Sequence, residues 1–101
     1  ATIFLKNLPK FRGVSKLIDN SIFTAASEKN WKSYKNFVKN NIKLKKNDRI
    51  LLTDPQTSGG LLIACKKSKS KTIIELLEKH GYNSSKIIGF FSSPSPSICL
   101  K

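Results

Sequence analysis

The chain has 101 residues, and 39% of them are apolar, which is enough for one modest core. A chain of this length buries about 60 to 68% of its unfolded surface, and this excludes a two-domain arrangement. No apolar run approaches the roughly 18 to 20 residues of a membrane span, and residues 1–10 lack the layout of a signal peptide. We therefore predict one soluble, cytoplasmic domain with no membrane partner.

Charge is the strongest feature of the composition, because 19 Lys and Arg against 6 Asp and Glu give a net charge of +13. Such an excess suggests nucleic acid or another polyanion as a partner. However, only Arg12 and Arg49 offer the planar guanidinium that reads bases or holds phosphate bidentately. The lysines are typical of a solvated surface, so a basic nucleic-acid or polyanion-binding module stays as an alternative.

The two cysteines, Cys65 and Cys99, are too few for a disulfide scaffold or a thiolate metal site. We predict free thiols, with Cys65 buried as a small hydrophobe inside an apolar run. The sole histidine, His80, lies at the predicted end of a helix and is interpreted as a cation on the helix dipole, not a metal ligand. The chain has no methionine and opens on a predicted strand, which suggests a piece of a longer protein.

Apolar spacing predicts the elements of the first half of the chain. Loose alternation favours a strand over Thr2–Leu8, and Pro9 ends it because proline cannot donate to a strand ladder. Residues three or four apart predict a helix over Phe11–Ile22. A basic amphipathic element follows, which we predict to be a surface helix or an ordered loop with Ser27 as its N-cap, and docking on a membrane surface or a nucleic acid is the alternative. The side chains expected to pack this element on the domain are Trp31, Tyr34, Phe37 and Val38.

Short apolar runs and their flanking turns predict the remaining elements. These are an edge strand Ile42–Leu44, a buried strand Leu61–Cys65, a helix Ser70–His80, a strand Lys86–Phe91, an extended and exposed segment Ser92–Ser97 and an edge strand Ile98–Leu100. Ser70 is the predicted N-cap of the helix, and Gly81 is its left-handed C-terminal residue. Gly89 indicates a bulge or a close backbone approach.

The order of strands and helices predicts the fold class α+β, with a mixed sheet and helices packed on one face. We expect one domain over residues 1–101, in which residues 92–101 form an exposed Ser/Pro tail.

Chemistry is concentrated in the heptapeptide Asp54–Gly60. Its paired glycines, Gly59 and Gly60, allow positive φ and a close approach of backbone to ligand, and Thr57 and Ser58 add hydroxyls. A phosphate-cradling loop needs these features. Asp-Pro and Gly-Gly pairs also form ordinary tight turns, so a structural turn remains the alternative.

The string from Leu51 to Ala64, Leu-Leu-Thr-Asp-Pro-Gln-Thr-Ser-Gly-Gly-Leu-Leu-Ile-Ala, resembles the signature near the C-terminal end of the selenophosphate synthetases, also called selenide, water dikinases. Asn7–Asp19 is similar to the strand, turn and helix of that family, and Glu28–Tyr34 to the segment after its Gly-Gly-Thr loop. The helix Thr72–Gly81 and the strand Ile87–Gly89 also have counterparts. The resemblance covers nearly the whole chain.

The resemblance implies the C-terminal part of an enzyme that converts ATP, selenide and water into selenophosphate, AMP and phosphate. It also implies the C-terminal α+β domain of the aminoimidazole ribonucleotide synthetase-like superfamily. ATP and magnesium, an N-terminal domain of the same protein and a homodimer would belong to the whole enzyme. The family's reactive Cys or selenocysteine, its Lys and its metal-binding Asp residues lie upstream of the matched stretch, so this chain has no catalytic or metal-binding candidates. Alone, it is expected to be inactive.

Site residues carry over from the resemblance in two groups. The phosphate loop comprises Asp54, Gln56, Thr57, Ser58, Gly59 and Gly60. In it, the hydroxyls of Thr57 and Ser58 and the amides of the glycines face phosphate, Gln56 orders the loop, and Asp54 caps or orients it. Ser27 and Asn30 form a secondary loop.

In that secondary loop, Ala25-Ala26-Ser27 stands where the family has Gly-Gly-Thr. Because Ala resists positive φ, at a cost of about 1 kcal/mol or more per strained residue, we expect that loop to differ from the family's form, which weakens the case for a ligand role of Ser27. Another ATP-dependent member of the same superfamily is the remaining enzyme alternative, and the Gln-Thr-Ser of the phosphate loop argues against it.

Overall fold

A computed structural model describes residues 1–40, 42–92 and 97–101. Within these residues the strands are β1 (Thr2–Ile3), β2 (Val38–Asn40), β3 (Gly89–Phe90) and β4 (Ile98–Leu100), and the α-helices are α1 (Val14–Asp19), α2 (Ala25–Tyr34), α3 (Lys46–Thr53) and α4 (Ser70–Lys79). The predicted α+β class is confirmed. None of the helices in these ranges is long and apolar enough to cross a membrane.

The strands form one mixed sheet in the order β2-β4-β1-β3. Strand β4 runs parallel to both β2 and β1, and β3 runs antiparallel to β1. The predicted strand Ile98–Leu100 therefore exists, but its assignment to an edge was wrong, because it has a neighbour on each side. Leu100 is 2% exposed and is part of the core.

The close approach predicted at Gly89 is confirmed. A Cβ on Gly89 would collide with the carbonyl oxygen of Thr2 on the neighbouring strand. The strand around Gly89 is shorter than predicted, because only Gly89–Phe90 of the run Lys86–Phe91 pairs with β1. The predicted first strand is also short, since a 3₁₀ turn over Leu5–Asn7 follows β1.

The helical part of the core is small and lies between α1 and α3. Ile18 of α1 is 9% exposed and Ile50 of α3 is 4% exposed. Helix α3 packs against both α1 and α2. The helix predicted over Phe11–Ile22 begins later, at Val14, because Gly13 takes a left-handed φ of 93° at the N-cap position.

Helix α4 ends as the sequence predicts. Gly81 has a φ of 88°, and its N–H donates to the carbonyl of Glu78 at 2.9 Å. The N–H of Tyr82 donates to Leu77 at 2.9 Å, which completes the Schellman motif. His80 lies at this helix end, as predicted. The start was predicted wrongly: Lys69 occupies the N-cap position, and Ser70 is already helical.

Two predictions between α2 and α3 were wrong. Ile42–Leu44 forms no strand, and β2 is formed by the residues just before it, Val38–Asn40. Helix α2 stops at Tyr34, so the aromatic stripe does not stay on one packed face. Trp31 is half-buried, whereas Tyr34 and Phe37 are 61% and 53% exposed.

The predicted buried strand Leu61–Cys65 does not form in the described part of the chain. Leu61 and Leu62 are 91% and 80% exposed, and the Cys65 thiol is exposed instead of buried. A strand that is apolar on both faces needs packing partners on both faces, and none of the described segments covers them. Both cysteines are free, as predicted. In the predicted Ser/Pro tail, residues 93–96 lie outside the described residues.

We expect Gly89→Ala to lower the free energy of unfolding by about 1 to 3 kcal/mol, because the added methyl group must push β3 away from β1. Gly60→Ala is the matched control, since no atom lies within 4 Å of its added Cβ and it should change stability little. Urea unfolding followed by Trp31 fluorescence measures both. Equal stability of the two variants would contradict the close packing of β1 and β3.

Candidate functional site

The heptapeptide Asp54–Gly60 begins where α3 ends, and all of its residues are exposed. Pro55 explains why the helix stops there, because a residue before proline is disfavoured in the helical region. Asp54 accordingly takes the extended backbone angles φ −63° and ψ 123°. The loop is thus placed directly at the C-terminal end of a helix that packs into the core.

Two hydrogen bonds and one longer contact join the end of α3 to α2. Thr53 Oγ1 lies 2.8 Å from the carbonyl oxygen of Ser27 and 2.7 Å from that of Arg49. Because the hydroxyl has a single proton, the two carbonyls share it. Asn30 Nδ2 donates to the carbonyl oxygen of Thr53 at 2.9 Å. A longer contact of 3.4 Å joins Ser27 Oγ to Asp54 Oδ1.

We call Ser27, Asn30, Thr53 and Asp54 the latch. Ser27 is completely buried, and the hydrogen bonds that join the four residues are partly buried. A hydrogen bond shielded from water is costly to leave unmade, so the latch fixes where the loop begins. It brings the two groups of candidate residues together at the base of the loop, because Ser27 contacts Asp54 and Asn30 bonds to the carbonyl oxygen of the preceding residue, Thr53.

The other candidates, Gln56 to Gly60, lie beyond the latch and are exposed. The Gln56 side chain folds back on the loop, with Oε1 3.0 Å from the position that a Cβ on Gly59 would occupy. Neither Gly59 nor Gly60 uses positive φ, which among the described glycines occurs at Gly13 and Gly81. The loop glycines therefore provide open backbone instead of a left-handed turn.

Neither Ala25 nor Ala26 takes positive φ. Both residues lie in the first turn of α2, and the N-cap position belongs to Thr24. Ser21 is the residue other than glycine with positive φ among the described residues. The assignments of Ser27 as N-cap and of Ser27 and Asn30 to a loop were therefore wrong, because both residues lie inside α2. The burial of Ser27 inside the helix lets it reach α3.

Beside the latch, a cleft of about 230 Å³ lies between α2 and α3. Its lining includes Ser27, Trp31, Lys32, Lys46 and Arg49. The Arg49 guanidinium lies 5.9 Å from the centre of the Trp31 ring, a cation–π distance. The Lys46 ammonium is 3.9 Å from the Glu28 carboxylate, so one cleft cation is partly neutralised.

Sequence reasoning did not select Thr53 or Arg49. The predicted loop could have directed attention to both residues, because Thr53 directly precedes Asp54 and Arg49 lies one helical turn before Thr53. No periodicity links them to Ser27, which is 26 residues from Thr53. Their role depends on how α2 and α3 pack, and this contact is visible only in the folded chain.

No protein-family model matches the chain. Known proteins similar to it include a selenide, water dikinase from Pseudomonas straminea, 36% identical over 98 residues that make up 97% of this chain and 28% of that protein. Another from Dechloromonas aromatica is 34% identical with the same coverage. One from Rhizobium meliloti is 38% identical over 97 residues, which are 96% of this chain and 28% of that protein.

The chain therefore spans little more than a quarter of the length of these relatives. The resemblance to selenide, water dikinases stated from the sequence is confirmed, and it concerns one part of those enzymes.

We expect Thr53→Val to lower the free energy of unfolding by about 0.5 to 1.5 kcal/mol, because an isosteric methyl group removes the partly buried hydrogen bond between the Thr53 hydroxyl and the carbonyl oxygen of Ser27. Ser33→Ala is the matched control, since it removes an exposed bond of the same kind, from Ser33 Oγ to the carbonyl of Lys29 at 3.2 Å. Urea unfolding compares the two. If both variants lose equally little stability, the latch does not hold α2 to α3.

Proposed function

We propose that this chain is the C-terminal part of an enzyme that makes selenophosphate, AMP and phosphate from ATP, selenide and water. We call that longer protein the parent enzyme. The observation that carries the proposal is the match to enzymes named selenide, water dikinase over 97% of this chain. The match covers both the latch and the loop that the latch positions.

The loop's role in this proposal is to bind phosphate. The hydroxyls of Thr57 and Ser58 are exposed and make no hydrogen bond to another described residue, so they are available to a ligand. The backbone around Gly59 and Gly60 is also open, and small residues let phosphate oxygens approach N–H groups closely. Such donors orient a phosphate group in a fixed direction.

The reaction makes demands that this chain does not meet alone. Forming AMP removes both terminal phosphates of ATP, so the site must hold a highly charged polyphosphate. The loop contributes neutral donors, and its one ionisable side chain is the Asp54 carboxylate, which is itself negative. Cations that neutralise the polyphosphate must therefore come from other segments, and we propose that the chain without the rest of the parent enzyme is inactive.

A magnesium site does not fit the described residues. No group of three or more His, Cys, Asp or Glu side chains comes together in residues 1–40, 42–92 and 97–101. We therefore assign no step through a metal to this chain. We propose that ATP and magnesium are held mainly by an N-terminal domain of the parent enzyme, and that the parent enzyme is a cytoplasmic homodimer.

We expect the double substitution Thr57→Ala and Ser58→Ala in the parent enzyme to lower kcat/KM for ATP at least about 10-fold, the effect of losing hydrogen bonds to a charged group. Selenide-dependent AMP release measures this effect. Thr72→Ala is the control, because Thr72 is an exposed hydroxyl residue on α4, outside the loop.

Two results would contradict the proposal in different ways. Activity of the double variant within a few-fold of wild type would make the loop a structural turn. No selenide-dependent AMP release from the wild-type parent enzyme would overturn the reaction itself.

A further inference from the structure

The chain exposes more surface than a finished monomer of its mass. Its accessible surface is 8412 Å². A compact monomer of 11.3 kDa exposes only about 5,700 Å², so the excess is about 2,700 Å². A standard protein interface buries about 800 Å² on each partner, so the excess is enough for a large, permanent interface. The radius of gyration of 14.7 Å agrees, since about 12.7 Å is expected for this length.

One apolar segment, Leu61–Cys65, contributes to this excess. Leu61, Leu62 and Ile63 are 91%, 80% and 48% exposed. The segment belongs to no helix, and among the described residues it pairs with no strand. Five consecutive apolar residues are typical of a strand that is covered on both faces inside a sheet. In the described structure, the side chains of the segment therefore lack packing partners, and its backbone lacks a neighbouring strand. A stable protein would supply both.

We propose that the apolar segment pairs, as a β-strand, with a strand of the parent enzyme that lies outside these 101 residues. The inference rests on the proposed function, because it needs the parent enzyme as the source of that strand. The relatives supply the room for it, since this chain matches only 28% of the length of the Pseudomonas straminea protein. Main-chain hydrogen bonds would give the pairing its direction, and apolar side chains on both faces would give it stability.

A second copy of this chain is a poorer occupant than the rest of the parent enzyme. Each copy carries a net charge of +13, so two copies repel one another. Four lysines follow directly after the segment, at Lys66, Lys67, Lys69 and Lys71. Pairing two copies through the segment would place the lysine clusters of both copies at the same short pair of strands. A strand without this charge avoids the repulsion.

Pairing of the segment also bears on the candidate site. The loop Asp54–Gly60 is held by the latch at its first residue, and it continues directly into Leu61 at its last. In the described structure the second end has no anchor. Once the segment pairs, the loop has a fixed residue at each end, which limits the conformations of Thr57 and Ser58.

Hydrogen–deuterium exchange of the 101-residue chain and of the full-length parent enzyme tests the pairing. We expect the amides of residues 61–65 to exchange freely in the short chain, and at least about 100-fold more slowly in the parent enzyme. Sedimentation at the same concentrations should find the short chain monomeric.

Leu62→Lys provides the variant for this experiment, and Phe11→Lys is the control because Phe11 is 89% exposed. Neither substitution should change the melting temperature of the short chain, since both side chains already face water. In the parent enzyme, only Leu62→Lys should restore fast exchange at residues 61–65.

Three outcomes would overturn the inference: fast exchange of residues 61–65 in the parent enzyme, protection of these residues in a dimer of the short chain, or a gene that encodes only these 101 residues. Failure of the proposed function is separate. A parent enzyme that protects the segment but releases no AMP retains the pairing and loses the reaction. One that releases AMP with an unprotected segment loses only the pairing.

Discussion

The hydroxyl of Thr53 lies between two carbonyl oxygens, one on α2 and one on α3, and the arrangement of the candidate site depends on this contact. The apolar core among the described residues is small, since its buried side chains are Ile18, Ile50 and Leu100. Polar contacts between helices therefore carry a larger share of the specificity than in a domain with a large core. Without the contact to the Ser27 carbonyl, the end of α3 would keep only the bond from Asn30 and the longer contact between Ser27 and Asp54 to hold it to α2.

The features that sequence reasoning predicted correctly depend on local backbone sterics. Gly81 ends α4 because the left-handed conformation there suits glycine, and Gly89 is required where two backbones approach closely. Two of the wrong predictions concern residues whose environment is set by distant segments. Leu61–Cys65 reads as a buried strand but has no neighbour to pair with, and Ile98–Leu100 is central only because β1 and β2 lie on either side of it.

The same distinction applies to the candidate site. Its residues were found from a string of fourteen, Leu51 to Ala64, whose composition and order resemble one family. The string does not indicate that Ser27 and Asn30 reach the base of the loop, because that contact arises from helix packing. Nor does it indicate which apolar surfaces remain exposed in the folded chain. The exposed area and the unpaired apolar segment indicate that this chain is one part of the parent enzyme. The latch holds the first end of its loop, and a segment from elsewhere in the parent enzyme fixes the other end.

In the function that we propose, the loop, positioned by the latch, contacts the phosphates of ATP. The most direct measurement is hydrogen–deuterium exchange of the parent enzyme with and without a non-hydrolysable ATP analogue, read at the amides of residues 57–60. We expect these amides to exchange at least about 10-fold more slowly with the nucleotide bound, while those of α4 keep their rates. Unchanged exchange at residues 57–60 under saturating nucleotide would contradict the account and leave the loop as a turn between α3 and the segment that follows.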